Sequence, residues 1–232
     1  HLAAVLAQGC WTPVERFGDE GGWHAQPVNA DGSRFRVYFR KVLQGEVVWD
    51  LIGQHNVLNA LAAIAAARHA GVPAKVGIEA LATLRNVKRR LELRGTVDGV
   101  TVYDDFAHHP TAIAVTLAAL RARVGERRVV AVLEARSNTM RLGVHRAELA
   151  PALRLADAVL LLQPTDLKWD MGEVLAGLAC RARAFHTVDA IVEVLERELQ
   201  AGDQVLIMSN GGFDGIHAKL LTRLAERAAR RA

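Results

Sequence analysis

Asp104-Asp105-Phe106-Ala107-His108-His109-Pro110-Thr111 sets two carboxylates and two imidazoles side by side between two contrasting runs. The run before it, Gly99-Val100-Thr101-Val102-Tyr103, is β-branched and apolar, the composition of a strand. Residues 110–121 after it are rich in Ala and Leu, with Pro110 at the first turn of a predicted helix, where a missing N–H is tolerated. The polar cluster therefore falls at the carboxyl end of a strand, the place where ligands bind in open α/β sheets.

The same alternation continues outward from this octet. Predicted strands at 128–133, 158–162, 182–186 and 204–208 alternate with predicted helices at 110–122, 145–155, 171–178, 190–199 and 216–229. Short loops between them predict a mostly parallel sheet with helices on both faces. Upstream of the octet, residues 91–97 and 100–103 form a predicted hairpin around Asp98-Gly99. Residues 1–54 read differently. Segments 22–28, 34–40 and 46–52 alternate with period two and are divided by Asp31-Gly32 and Gln44-Gly45, so an antiparallel meander is expected there. A short apolar helix at 2–8, an Ala/Leu helix at 56–69 stopped by Gly71 and Pro73, and a helix at 75–84 complete this part. Asn86-Val87-Lys88-Arg89-Arg90 is poor in apolar residues and marks a boundary between units 1–88 and 89–232.

Composition narrows the classes. With 51% hydrophobic residues in 232, a core forms and disorder is excluded. Two distant cysteines, Cys10 and Cys180, provide neither metal spacing nor a disulfide framework, which fits a reducing cytoplasm. No apolar run has the length of a membrane span, and the start has no signal-peptide layout. His1 in place of Met points to a piece of a longer chain. The net charge of +4 gathers partly in Arg223, Arg227, Arg230 and Arg231, read as a solvated helix end. Aromatics at 5% with no interleaved basic stripe argue against a nucleic-acid partner.

The strand ends of the second unit carry the chemistry. After the octet come Glu134-Ala135-Arg136-Ser137-Asn138-Thr139, Gln163-Pro164-Thr165-Asp166 and Ser209-Asn210-Gly211-Gly212. Parallel strands would bring these clusters to one edge. Arg136 has the fork that grips a carboxylate or phosphate, and the glycines of 209–212 let backbone N–H groups approach an anion at a helix start. A surface ion pair and a plain turn are the alternatives. Adjacent His108 and His109 do not make the usual helical pair of metal ligands, so no metal site is assigned. In the first unit, Asn56 reads either as a helix N-cap or, with His55 and Asn59 on one face, as an amide pair for adenine.

Gly53-Gln54-His55-Asn56-Val57-Leu58-Asn59-Ala60, Arg89-Arg90-Leu91-Glu92 and the octet occur in this order, and together they resemble the Mur ligase family of bacterial cell-wall enzymes. Arg136-Ser137-Asn138-Thr139-Met140 and Met208-Ser209-Asn210-Gly211-Gly212-Phe213, with Gly215-Ile216-His217, look like the peptidoglycan-recycling branch. Ala135 stands where that branch would have proline.

The resemblance implies a cytoplasmic, monomeric ligase using ATP and Mg2+, with UDP-N-acetylmuramate and the murein tripeptide L-alanyl-γ-D-glutamyl-meso-diaminopimelate as substrates. It implies that 1–88 is the end of a central α/β ATPase domain and that 89–232 is the Rossmann-like C-terminal domain. By resemblance, His55, Asn56 and Asn59 serve adenine, and Arg90 and Asp105 serve the nucleotide. Arg90 and His108 take catalytic roles, while His109, Arg136, Ser137, Asn138, Ser209, Asn210, Gly211 and Gly212 hold the peptide. A hinge is expected near Lys88-Arg89. The family's Gly-Lys-Thr phosphate loop and the metal ligands that accompany it are not among the 232 residues, so this chain is expected to be inactive alone. An L-alanine-adding ligase and a non-catalytic binding module are the competing readings.

Overall fold

The computed structural model describes residues 2–178 and 181–231. Cys180, part of the cysteine reading, lies outside them; Cys10 is an exposed free thiol. The chain forms two compact units that divide between Arg85 and Asn86.

The first unit begins with α1 (Leu2–Leu6) and holds β1 (Trp23–Pro27), β2 (Arg34–Phe39) and β3 (Val42–Val48) in an antiparallel sheet of order β1-β2-β3. Helices α2 (Gln54–His69) and α3 (Ala74–Leu81) cover one face of it. Trp23, Phe35, Val37 and Val47 from the strands pack there with Val57, Leu61, Ile64 and Ile78 from the helices.

Two expectations are corrected in this unit. The second hairpin does not turn at Gln44-Gly45 but at Arg40-Lys41, and β3 runs 42–48 rather than 46–52. Arg40 and Lys41 have φ of 47° and 67°, and Phe39 pairs with Val42 across a two-residue turn of the primed kind that matches strand twist. Gly45 lies inside β3, where the register shifts opposite Val37 and Tyr38. Nor is Asn56 an N-cap. The helix starts earlier, with Gly53 as its cap, and Asn56 Nδ2 donates to the Ile52 carbonyl at 2.8 Å.

The second unit is a six-stranded sheet of order β4-β5-β9-β6-β7-β8, built from β4 (Glu92–Val97), β5 (Val100–Asp105), β6 (Val129–Glu134), β7 (Ala158–Leu162), β8 (Arg181–Phe185) and β9 (Gln204–Met208). Only β4 is antiparallel, joined to β5 by the expected Asp98-Gly99 turn, whose φ values are 51° and 72°. The central strands are apolar along their whole length because both faces are covered. Residues 205–208 of β9 and 129–133 of β6 are all buried.

One face carries α4 (Pro110–Val124), α6 (Arg146–Leu153) and α7 (Gly172–Ala176), through Ile113, Leu117, Leu149, Leu153 and Val174. The other carries α8 (Val188–Glu198) and α9 (Ile216–Arg231). On α9, Ile216, Leu220, Leu224 and Arg227 recur at helical spacing on the buried side.

The basic end of α9 is therefore not simply solvated. Arg227 is buried, and its Nε donates to Asp98 Oδ2 at 2.7 Å and its Nη1 to the Leu199 carbonyl at 2.9 Å. Arg230 and Arg223 pair with Glu196 on α8. Among the described residues, no helix is long and apolar enough to cross a membrane.

The order of strands decides where a ligand would sit. The chain moves outward from β5 through β6 and β7 to β8, then returns to insert β9 between β5 and β6. The segments leaving β5 and β6 go to one face and the segment leaving β9 goes to the other. Beyond the carboxyl ends of β5, β9 and β6 the connections part, which makes a crevice at the switch point.

Candidate functional site

Three of the four polar clusters flank that switch point. In register, Asp105 of β5 and Leu133 of β6 lie beside Met208 of β9, so the residues following each strand emerge together. Ser209 N donates to the Asp105 carbonyl at 3.1 Å and extends the ladder by one step.

Ser209 is fully buried. Its Oγ donates to Glu134 Oε2 at the end of β6 and accepts the Gly211 N–H at 2.8 Å. The half-exposed turn Asn210-Gly211 is thus pinned from below, and Gly212 lies open beyond it. The exposed Arg136 lies against Gly211: a Cβ there would come within 2.8 Å of its Cζ. A side chain at 211 would push the exposed guanidinium aside, and as it stands the guanidinium and the backbone of the turn form one surface.

Asp105 has a structural task that side-chain patterning does not reveal. Its Oδ1 accepts the Ala107 N–H at 2.7 Å and Thr116 Oγ1 at 3.4 Å, and its Oδ2 accepts the Leu91 N–H at 2.7 Å. The carboxyl is buried, and burial raises its pKa above the ordinary 3.8 despite these N–H groups and the nearby charge of Arg90. A ribose contact by Asp105 would have to share or displace one of these bonds. Arg90 itself is exposed, its carbonyl held by Asn86 Nδ2 at 2.7 Å. Its neighbours Arg89 and Leu91 have φ of 61° and 48°, a left-handed backbone that is uncommon for such residues.

The histidines divide. His109 is the N-cap of α4: its Nδ1 accepts the Thr111 N–H at 3.3 Å, and its ring meets the edge of His145 at 4.3 Å between centroids. His108 Nδ1 lies 2.8 Å from the Phe106 carbonyl, with its ring edge-on to Phe106. Ser137 caps α5 (Asn138–Arg141) by accepting the Met140 N–H at 3.3 Å. Asn138 Oδ1 accepts from Arg141, which also reaches Asp166, so the ends of β6 and β7 are tied together. Trp169 donates to the Met140 carbonyl from the same loop. In the first unit, His55 is half-buried, Asn56 is engaged with Ile52, and Asn59 is exposed.

The switch point thus brings together Arg90, Asp105, Arg136 and the 209–212 turn. Ser137, Asn138 and His109 lie on flanking helix starts. Glu134, Arg141, Trp169 and His217 received no role from sequence, and Arg89 only a place at the expected hinge; Glu134, Arg89, Trp169 and His217 meet buried or backbone partners elsewhere in the chain, and Arg141 meets the exposed Asp166. Among the described residues no group of three or more His, Cys, Asp or Glu side chains is placed to hold a metal ion, so these residues do not fit a Mg2+ site. An exposed arginine beside a glycine turn does fit an anionic ligand, whether phosphate or carboxylate.

Comparison with known proteins gives this geometry a family. The family model described as Mur ligase, glutamate ligase domain, matches residues 89–211, just over half of the chain. The chain is 49% identical over 229 residues to UDP-N-acetylmuramate–L-alanyl-γ-D-glutamyl-meso-2,6-diaminoheptandioate ligase of Escherichia coli K12, covering 98% of this chain and 50% of that one. It is 40% identical over 192 residues to UDP-N-acetylmuramate–L-alanine ligase of Acidithiobacillus ferrooxidans, covering 79% and 40%. The crystal structure of a murein peptide ligase from Psychrobacter arcticus superposes with a TM-score of 0.71 at 42% identity, over 97% of this chain and 49% of that one. The chain spans about half the length of the relatives it matches. The switch-point architecture, the octet and these likenesses agree: the chain belongs to the Mur ligase family.

Proposed function

We propose that this chain forms the peptide-receiving half of an ATP-dependent ligase that joins UDP-N-acetylmuramate to L-alanyl-γ-D-glutamyl-meso-diaminopimelate in peptidoglycan recycling. The observation that carries the reading is the Arg136 guanidinium laid over the Gly211 backbone at the switch point. A tripeptide ending in diaminopimelate presents several carboxylates, which suit a forked cation beside open N–H groups. Free L-alanine has one carboxylate and needs less.

In this reading, residues 89–232 hold the peptide, with Arg136, Asn138, Asn210, Gly211 and Gly212 as contacts. Ser137, Ser209 and His109 shape the loops that carry them. Residues 1–88 belong to the nucleotide-binding part, where His55, Asn56 and Asn59 are assigned to adenine. Arg90 is assigned to phosphate charge developing in the transition state, Asp105 to the turn that carries Arg90 and to the ribose, and His108 to the same wall. ATP supplies the phosphoryl group that activates the lactyl carboxylate. The peptide amine then displaces phosphate from the acyl phosphate, forming the amide bond and losing a proton. Mg2+ would take its ligands outside the described residues. The protein acts as a monomer in the cytoplasm.

The test is amide formation by mass spectrometry with UDP-N-acetylmuramate, ATP and Mg2+. The chain alone should form no product with either amine. Carried in one polypeptide with a Gly-Lys-Thr phosphate loop, it should ligate the tripeptide far faster than L-alanine. A preference for L-alanine would establish the alanine-adding reading instead. Tripeptide binding without turnover in that longer polypeptide would leave a binding module.

A further inference from the structure

Arg89 touches both walls of the switch-point crevice. Its N–H donates to Glu92 Oε2 at 2.8 Å, and its carbonyl accepts the Phe106 N–H at 2.9 Å. Its guanidinium donates from Nε to Asp104 Oδ1 at 3.4 Å and from Nη2 to the Ser209 carbonyl at 2.5 Å, with its Cζ 5.3 Å from the centre of the Phe106 ring. One rigid fork therefore spans the end of β5 and the first residue beyond β9.

Two further facts make this more than a surface ion pair. The backbone at Arg89 and Leu91 is left-handed on either side of Arg90. Such a conformation costs roughly 1 kcal/mol or more per non-glycine residue and persists only where surrounding bonds over-determine it. Those bonds are the ones from Glu92, Phe106 and Asp105 to the backbone of 89–91. The other fact is the anchor. Asp104 is 4% exposed and faces charged or titratable groups from three directions. These are Arg89, Arg94 of β4 at 3.8 Å, and Nε2 of the buried His217, in the first turn of α9, at 3.3 Å. The guanidinium is thereby fixed at one end, and what it holds at its other end is the loop residue Ser209.

We propose that Arg89 is a positioning residue: its fork between Asp104 and the Ser209 carbonyl fixes the Arg90 turn and the 209–212 loop in a single geometry. Through it, the arginine assigned to phosphate and the turn assigned to peptide move as one body, with His217 and Asp104 as the anchor. This rests on the roles given to Arg90 and the loop above. Lysine would keep the charge but cannot hold two acceptors from one plane.

The experiment uses the 232-residue chain and its variants Arg89→Lys and Arg89→Gln. Amide hydrogen exchange is read at Leu91 and Gly211, with Val130 and Leu160 in the sheet as references, and tripeptide affinity is measured by calorimetry. Both variants should speed exchange at Leu91 and at Gly211 by roughly tenfold or more, leave the sheet amides unchanged, and weaken tripeptide binding by roughly tenfold. Unchanged exchange at Gly211 would overturn the coupling, even if Leu91 responds. Global unfolding of both variants would overturn it too, because Arg89 would then hold the fold and not the site. If the unaltered chain binds no tripeptide, the peptide reading fails, and the paired exchange rates still decide the role of Arg89.

Discussion

Removing one oxygen from the floor of the crevice tests how the loop is held. Ser209→Ala deletes the Oγ that donates to Glu134 and accepts the Gly211 N–H. Its backbone bonds to Asp105 and Arg89 can persist, because they do not involve the side chain. A hydrogen bond to a carboxylate contributes about 1.5–3 kcal/mol and a neutral one about 1 kcal/mol. Gly211 and Glu134 are each only partly buried, so water replaces some of what is lost. The net cost is about 2 kcal/mol, which at 2–4 °C per kcal/mol lowers the melting temperature of a unit this size by roughly 4–8 °C. Urea unfolding followed through the amide signals of β6 and β9 reads the cost in the unit concerned. A cycle with Glu134→Gln should show the two changes less than additive by about 1 kcal/mol. If Ser209→Ala stays within about 0.5 kcal/mol of the unaltered chain, a range typical of neutral surface changes, the loop is not held from below as described.

The hairpin and the buried acids yield further expectations. Gly99→Ala should lose about 1–3 kcal/mol in urea, since φ is +72° and the new Cβ would come 2.7 Å from Ala201 Cβ; a neutral result would contradict the tight turn. Burial alone would raise the Asp104 carboxyl, but His217 Nε2 at 3.3 Å and the charge and hydrogen bond of Arg89 outweigh it and hold the folded pKa below 3.8. That group stabilises the fold above its unfolded pKa, and the stability is lost as pH falls through the folded value. Asp105 has the opposite sign: its ionised form costs stability above its raised folded pKa, and the cost is relieved as pH falls toward 3.8. Between pH 5 and pH 3, Asp104→Asn should therefore flatten the acid loss of stability, and Asp105→Asn should steepen it. Parallel urea-midpoint curves for the two variants would contradict both assignments. Arg227→Met should cost about 3 kcal/mol, because it leaves Asp98 and two carbonyls without their buried partner.

Much of the second unit was legible because its strands are buried on both faces. Val129–Glu134, Ala158–Leu162 and Gln204–Met208 are apolar runs that end abruptly in polar residues, and the ends of the first and third lie at the switch point beside the end of β5. Asp98-Gly99 announced its turn because the conformation demands glycine or a short polar residue. Arg40-Lys41 adopts the same kind of turn with side chains that carry no such signal. Asn56 shows the converse: it resembles a cap and is not one, while His109 carries a capping role at the start of α4 that its pattern does not announce. The partners of Asp105 are backbone N–H groups of Leu91 and Ala107, which no side-chain pattern encodes. The arginines of α9 looked like solvated charge because Asp98, the partner of Arg227, lies 129 residues away in the chain.

In the proposed function, the strand ends at the switch point of the second unit receive an acidic peptide. Titrating L-alanyl-γ-D-glutamyl-meso-diaminopimelate into the 15N-labelled chain tests it most directly. Saturable shifts should gather on the amides of Arg136, Asn138, Asn210, Gly211 and Gly212, with those of β1, β2 and β3 unmoved, and Arg136→Ala should weaken the binding by roughly tenfold or more. Saturable binding whose shifts fall elsewhere, or that Arg136→Ala leaves unchanged, would rule out a peptide site at these strand ends.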